Sequence, residues 1–143
     1  MTPALRYTAL ALCTICAPAA KGSTGCGDSL GAGAQRLSDA RYQVVFKATP
    51  SPIPVGQHFQ LDFALCSIAL TPAPAPAPTE VRVDAHMPEH RHGMNYRPGI
   101  RSLGAGFYRA EGLMFHMPGR WELVFDVRGS DGAARLTQTL LVE

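Results

Sequence analysis

Four of the five histidines and four of the five methionines of this 143-residue chain fall between residues 86 and 117. The tripeptide His-Met-Pro occurs twice, at His86-Met87-Pro88 and at His116-Met117-Pro118, and His90, His92 and Met94 lie between the copies. Imidazole and thioether are neutral, fairly soft ligands, a donor set that suits copper and above all Cu(I). Zinc suits the set less well, since thioethers bind it poorly, although His90 and His92 with Glu89 would make a weak zinc site. Calcium is disfavoured because carboxylates are sparse here. Arg91, Arg97 and Arg101 surround the cluster and raise the local positive potential, which fits a +1 ion better than a +2 ion. The same arginines would also suit docking on an acidic partner, with Arg91 and Arg97 as the candidate contacts.

These side chains can meet only if the backbone presents them together, and the surrounding pattern is that of strands. Val81, Val83 and Ala85 alternate with Arg82, Asp84 and His86, which puts Met87 on the core side and His86 outside. Trp121, Leu123, Phe125 and Val127 alternate in the same way. On the preceding segment Leu113, Phe115 and Met117 are expected to face inward, with Met114 and His116 on the opposite face. In extended backbone His90, His92 and Met94 point the same way, at i, i+2 and i+4, and His116 or Met117 would complete a shell from the neighbouring hairpin. The candidate ligand set is therefore His86, Met87, His90, His92, Met94, His116 and Met117. Each residue also has a simpler role. Met87 and Met117 are natural core gap-fillers, His86 is a solvent-facing strand residue, and His90 and His92 belong to a charged surface loop.

Further strands are expected at Tyr42–Lys47, at Phe59–Cys66 with its strict alternation, and at Leu136–Val142. Ser51–Gly56 and Gly129–Gly132 carry turn chemistry, and Pro118-Gly119 fits a type II turn. Residues 71–79 read TPAPAPAPT, a stiff polyproline II loop across one end of a domain. About seven short strands with no helical periodicity predict an all-β fold, a single immunoglobulin-like antiparallel β-sandwich over residues 41–143. Residues 21–40, rich in Gly, Ala and Ser, are expected to be a flexible lead.

Residues 1–20 have the form of a signal peptide: Arg6, a short apolar run over Tyr7–Cys16, then Ala17-Pro18-Ala19-Ala20. The run is too short to span a bilayer, so no transmembrane segment is expected in the mature chain. An exported, periplasmic location follows, and Ser23-Thr24-Gly25-Cys26 is a weak match to a lipid-anchor site at Cys26. Removal of the signal takes Cys13 and Cys16 with it and leaves Cys26 and Cys66. In an oxidising compartment these two would pair; the alternative is Cys66 as an ordinary buried strand residue. The net charge of +2 and the lack of a dense basic run exclude a nucleic-acid binder. No nucleophile elbow, phosphate loop or dinucleotide fingerprint is present, so an enzyme is not expected.

The segment from Val83 to Met94, VDAHMPEHRHGM, is followed by Gly106-Phe107-Tyr108 and by Met117-Pro118-Gly119-Arg120-Trp121. Over residues 41–143 this order resembles the YtkA-like domain, related to the FixH-like proteins. There, a Met-Pro-x-His-x-His-Gly stretch precedes a Gly-x-Tyr strand and a Met-Pro-Gly-x-Trp hairpin. The resemblance implies an exported or membrane-tethered immunoglobulin-like domain, and it carries Met87, His90, His92 and Met117 over as motif positions. Some members of that family are linked with copper handling or the assembly of copper enzymes. A copper-enzyme or copper-transport partner protein is the expectation that follows. A FixH-type membrane anchor is not evident.

Overall fold

The computed structural model describes residues 25–68, 77–130 and 132–143. The signal-peptide segment and most of the Pro-Ala stretch lie outside them. Among the described residues there are nine strands, most of them built on alternating apolar residues: β1 Gln35–Ser38, β2 Tyr42–Thr49, β3 His58–Ser67, β4 Glu80–Met87, β5 His92–Gly93, β6 Gly99–Gly104, β7 Phe107–Met114, β8 Gly119–Gly129 and β9 Gly132–Val142. All pairings are antiparallel. They form a five-stranded sheet in the order β1-β2-β3-β7-β6 and a four-stranded sheet in the order β5-β4-β8-β9. With β2, β3, β7 and β6 as A, B, E and D, and β5, β4, β8 and β9 as C′, C, F and G, this is the immunoglobulin arrangement.

Three strands lie outside the expected set of about seven: β5 is a two-residue strand in what reads as the loop after β4, and the other two, β1 and β6, have clear causes. Residues 35–38 are not a flexible lead but an added edge strand, Gln35 to Ser38 pairing with Phe46 to Gln43. The segment before them, a 3-10 turn at Asp28–Leu30, is tied to the end of β3 by a Cys26–Cys66 disulfide. Gly27, at φ 70°, lets it approach β2 so closely that a Cβ there would lie 2.5 Å from the Cβ of Val45. The other is β6, which emerges from what reads as loop sequence and pairs with β7 from Gly99↔Glu111 to Gly104↔Phe107.

Between the sheets lies one apolar core. Phe46, Phe63 and Phe125 meet at its centre, with ring centres 5.4 Å apart for Phe46–Phe125 and Phe63–Phe125. A second aromatic column, Phe59–Phe115–Trp121, runs toward one end with separations of 4.9 and 4.6 Å. No polar or charged residue is buried among the described residues, which leaves burial of these side chains as the main source of stability. Asp62 and Arg109, directly opposite on β3 and β7, form a two-point ion pair at 2.6 and 3.0 Å on the outer face.

Candidate metal site at one end of the sandwich

The end of the sandwich capped by Trp121 is where the histidines gather. β4 ends at Met87, and the chain turns through Pro88–Arg91 into β5. The Met87 carbonyl accepts from the amides of both His90 and Arg91, at 3.2 and 2.9 Å. Arg91 closes this turn at φ 56°. His90 therefore sits on a turn, not in extended backbone, and the expected i, i+2, i+4 alignment of His90, His92 and Met94 does not form. His92 stands opposite Met87 in the β4–β5 pair. Residues opposite each other share a face, so His92 leans inward over the core end, and Met94, two residues on, packs against the core. Its amide donates to the Ala85 carbonyl at 3.1 Å.

The second copy of the tripeptide arrives differently. β7 ends at Met114, and residues 115–118 carry the chain across from one sheet to the other. There is no hairpin here, because β7 and β8 belong to different sheets. Strand parity stops applying in the crossing, and His116 is not turned away from the core. It is half-buried, with its ring edge-on to Trp121 at 5.3 Å and 4.9 Å from the ring of His92. His90 follows at 5.8 Å from His92, and His92 itself meets Trp121 at 5.9 Å. Three imidazoles thus lie in a row, of which His92 and His116 meet the indole. The Nδ1 of His116 is shielded from solvent and has no hydrogen-bond partner. The Met117 carbonyl accepts from Trp121 Nε1 at 3.0 Å, which fixes the crossing segment against the indole.

The remaining candidates separate from this row. Met87 is in the core, 1% exposed. Its tip is so close to Gly119, which has φ 129°, that a Cβ there would come within 2.7 Å of Met87 Cε. His86 projects from the other face of β4, where its Nε2 lies 3.2 Å from a Glu122 carboxylate oxygen. Glu89 is held by Arg120, so it is not the spare carboxylate a zinc site would need. Arg91 is exposed at the turn. Arg97 lines an open groove with Pro98, Ile100 and the exposed side of β4. Arg101 is paired with Glu111 at 3.8 Å.

Sequence reasoning missed His58. It begins β3 opposite Met114, and its ring meets Tyr96 at 5.4 Å. The register brings it to the same end as the others, so all five histidines of the chain collect there. The signal was its position as the first residue of an alternating strand whose far end holds Cys66.

Among the described residues no group of three or more His, Cys, Asp or Glu side chains converges to hold a metal. Two imidazoles bound to one ion, each nitrogen about 2 Å from it, place their ring centres roughly 5–6 Å apart. The His92–His116 and His90–His92 separations, 4.9 and 5.8 Å, are close to that range, and thioethers would have to complete a shell built on either pair. Comparison with protein-family models, with curated proteins and with solved structures returns no match. No helix among the described residues is long and apolar enough to cross a membrane.

Proposed function

We propose that this chain is an exported copper-binding accessory or carrier domain. It holds Cu(I) at the Trp121 end of the sandwich and passes it to, or receives it from, a copper-enzyme or copper-transport protein. The supporting observation is the row of His90, His92 and His116, with the Nδ1 of His116 buried and unpartnered. A buried polar nitrogen without a partner is costly and calls for an explanation, and a soft cation would satisfy it. Met94 and Met117, both half-buried against the core end, are the thioethers that would favour Cu(I) over zinc. The order of the His and Met motifs, similar to the YtkA-like domain, supports the same reading. The site lies on a turn and a sheet crossing at the rim, which suits transfer of the ion.

Titration of the protein with Cu(I) against a competing chelator tests this reading. Binding tighter than about 1 µM is expected, and it should be lost when His92 and His116 are both replaced by alanine. Weaker binding in the parent protein rejects copper carriage. A metal-free reading would then remain, in which Arg91, exposed at the tip of the β4–β5 turn, and Arg97, in its groove, dock an acidic protein.

A further inference from the structure

β9 is eleven residues long and lies at the edge of its sheet; among the described residues it is strand-paired with β8 alone, with β1 of the other sheet close beside it. Its last seven residues, Leu136-Thr137-Gln138-Thr139-Leu140-Leu141-Val142, contain no charge, no proline and no glycine. Natural edge strands are usually short, charged, kinked or covered, because their unpaired amides and carbonyls recruit other strands. Leu141 is 73% exposed on this edge.

A row of charges crosses the outer face of the same sheet. Arg82 on β4 stands opposite Asp126 on β8, and Asp126 stands opposite Arg135 on β9. Arg135 Nε and Nη2 reach the two Asp126 oxygens at 2.7 and 2.9 Å. The row runs positive, negative, positive, and stops at the edge on a cation.

We infer that β9 pairs antiparallel with β9 of a second copy, about a two-fold axis through Thr139, so that two four-stranded sheets become one of eight strands. In this register Leu136 faces Val142 of the other copy and Thr137 faces Leu141. Arg135 then faces Glu143, which extends the alternating row by the negative charge it lacks. Facing residues share burial class as well: Leu136 and Val142 are buried, Thr137 and Leu141 exposed, Gln138 and Leu140 half-buried. A register shifted to an axis at Gln138 would set Arg135 against Leu141 and lose the charge match. The pairing is isologous and therefore closed. β5, which carries His92, is the opposite edge of the sheet and stays at the far side of the dimer.

One strand per copy is a small interface, so dimerisation is expected at about 10–100 µM, read by sedimentation of the full chain. Thr139→Lys sets two like charges together at the axis and should weaken the dimer about fivefold. Glu143→Arg should weaken it about tenfold, since the two-fold counts each lost contact twice. Both positions are exposed, so circular dichroism should report an unchanged fold. Thr139→Cys should give a disulfide-linked dimer, because facing Cα atoms in such a pair lie within bridging distance, whereas Gln138→Cys should not. A protein that stays monomeric throughout this range overturns the proposal. So does a dimer indifferent to Thr139→Lys, or one that crosslinks through Gln138→Cys instead.

Discussion

At the scale of single residues, the two histidines of the first motif that are easiest to confuse are separated by a sheet. His86 and His92 are six positions apart, yet His86 faces Glu122 on the outside while His92 leans on Trp121. If the copper reading holds, His86→Ala should leave Cu(I) affinity within about twofold of the parent, while His92→Ala should lower it by about tenfold or more, one ligand bond being worth at least 1.4 kcal/mol. Equal losses in the chelator competition would place the ion elsewhere. Met87 makes the opposite case. As a core side chain it should cost about 3 kcal/mol of stability when cut to alanine, measured by urea unfolding, and its loss should change Cu(I) affinity little. A stable Met87→Ala protein with lost copper binding would return Met87 to the ligand set.

At the scale of elements, the turn joining β1 to β2 depends on one carboxylate. Asp39 Oδ1 accepts from the amides of Arg41 and Tyr42, both at 2.7 Å. Partial burial works against the charged form, but those two amide hydrogen bonds and the nearby Arg41 outweigh it and hold the Asp39 carboxyl below its ordinary value. A depressed folded-state pKa means that the stabilisation is present above the unfolded pKa, near 3.9, and is lost as pH falls through the folded value. Asp39→Ala should therefore cost about 1 kcal/mol at neutral pH, and the gap to the parent should close below about pH 4; urea unfolding at both pH values checks it. The strands themselves were legible because β2, β3, β4, β8 and β9 each bury one face, and burial of one face imposes the period of two. β6 was hidden for the reason that makes it an edge: its Arg101, Ser102 and Leu103 are all exposed, so no alternation marks it. The candidate site was legible in residue type only. Residue type pointed to His90, His92 and His116, but a turn at Pro88–Arg91 and a sheet crossing at 115–118 set their directions, and neither follows from strand parity.

At the scale of the whole molecule, the sandwich keeps its covalent tie and its histidines at opposite ends. The disulfide joins Cys26 to Cys66, near the end of β3, whereas His58 at the start of that strand belongs to the Trp121 end. The bridge closes a loop across a sequence separation of 40, which in the chain-entropy account stabilises the fold by about 4 kcal/mol. The double change Cys26→Ser, Cys66→Ser should therefore lower the thermal midpoint by roughly 10–20 °C, as scanning calorimetry would read it. Most of the fold should survive, because the apolar core is complete without the 3-10 segment that the bridge anchors: neither cysteine belongs to the buried set. Cu(I) affinity measured below the new midpoint should match the parent. This variant also removes the thiols that reducing conditions would otherwise expose, and thiolates compete strongly for Cu(I). If affinity falls with the cysteines, the metal is held at the disulfide end and the histidine row is not the site. If affinity is unchanged while the midpoint drops, the two ends are independent, one holding the fold together and the other open for the ion.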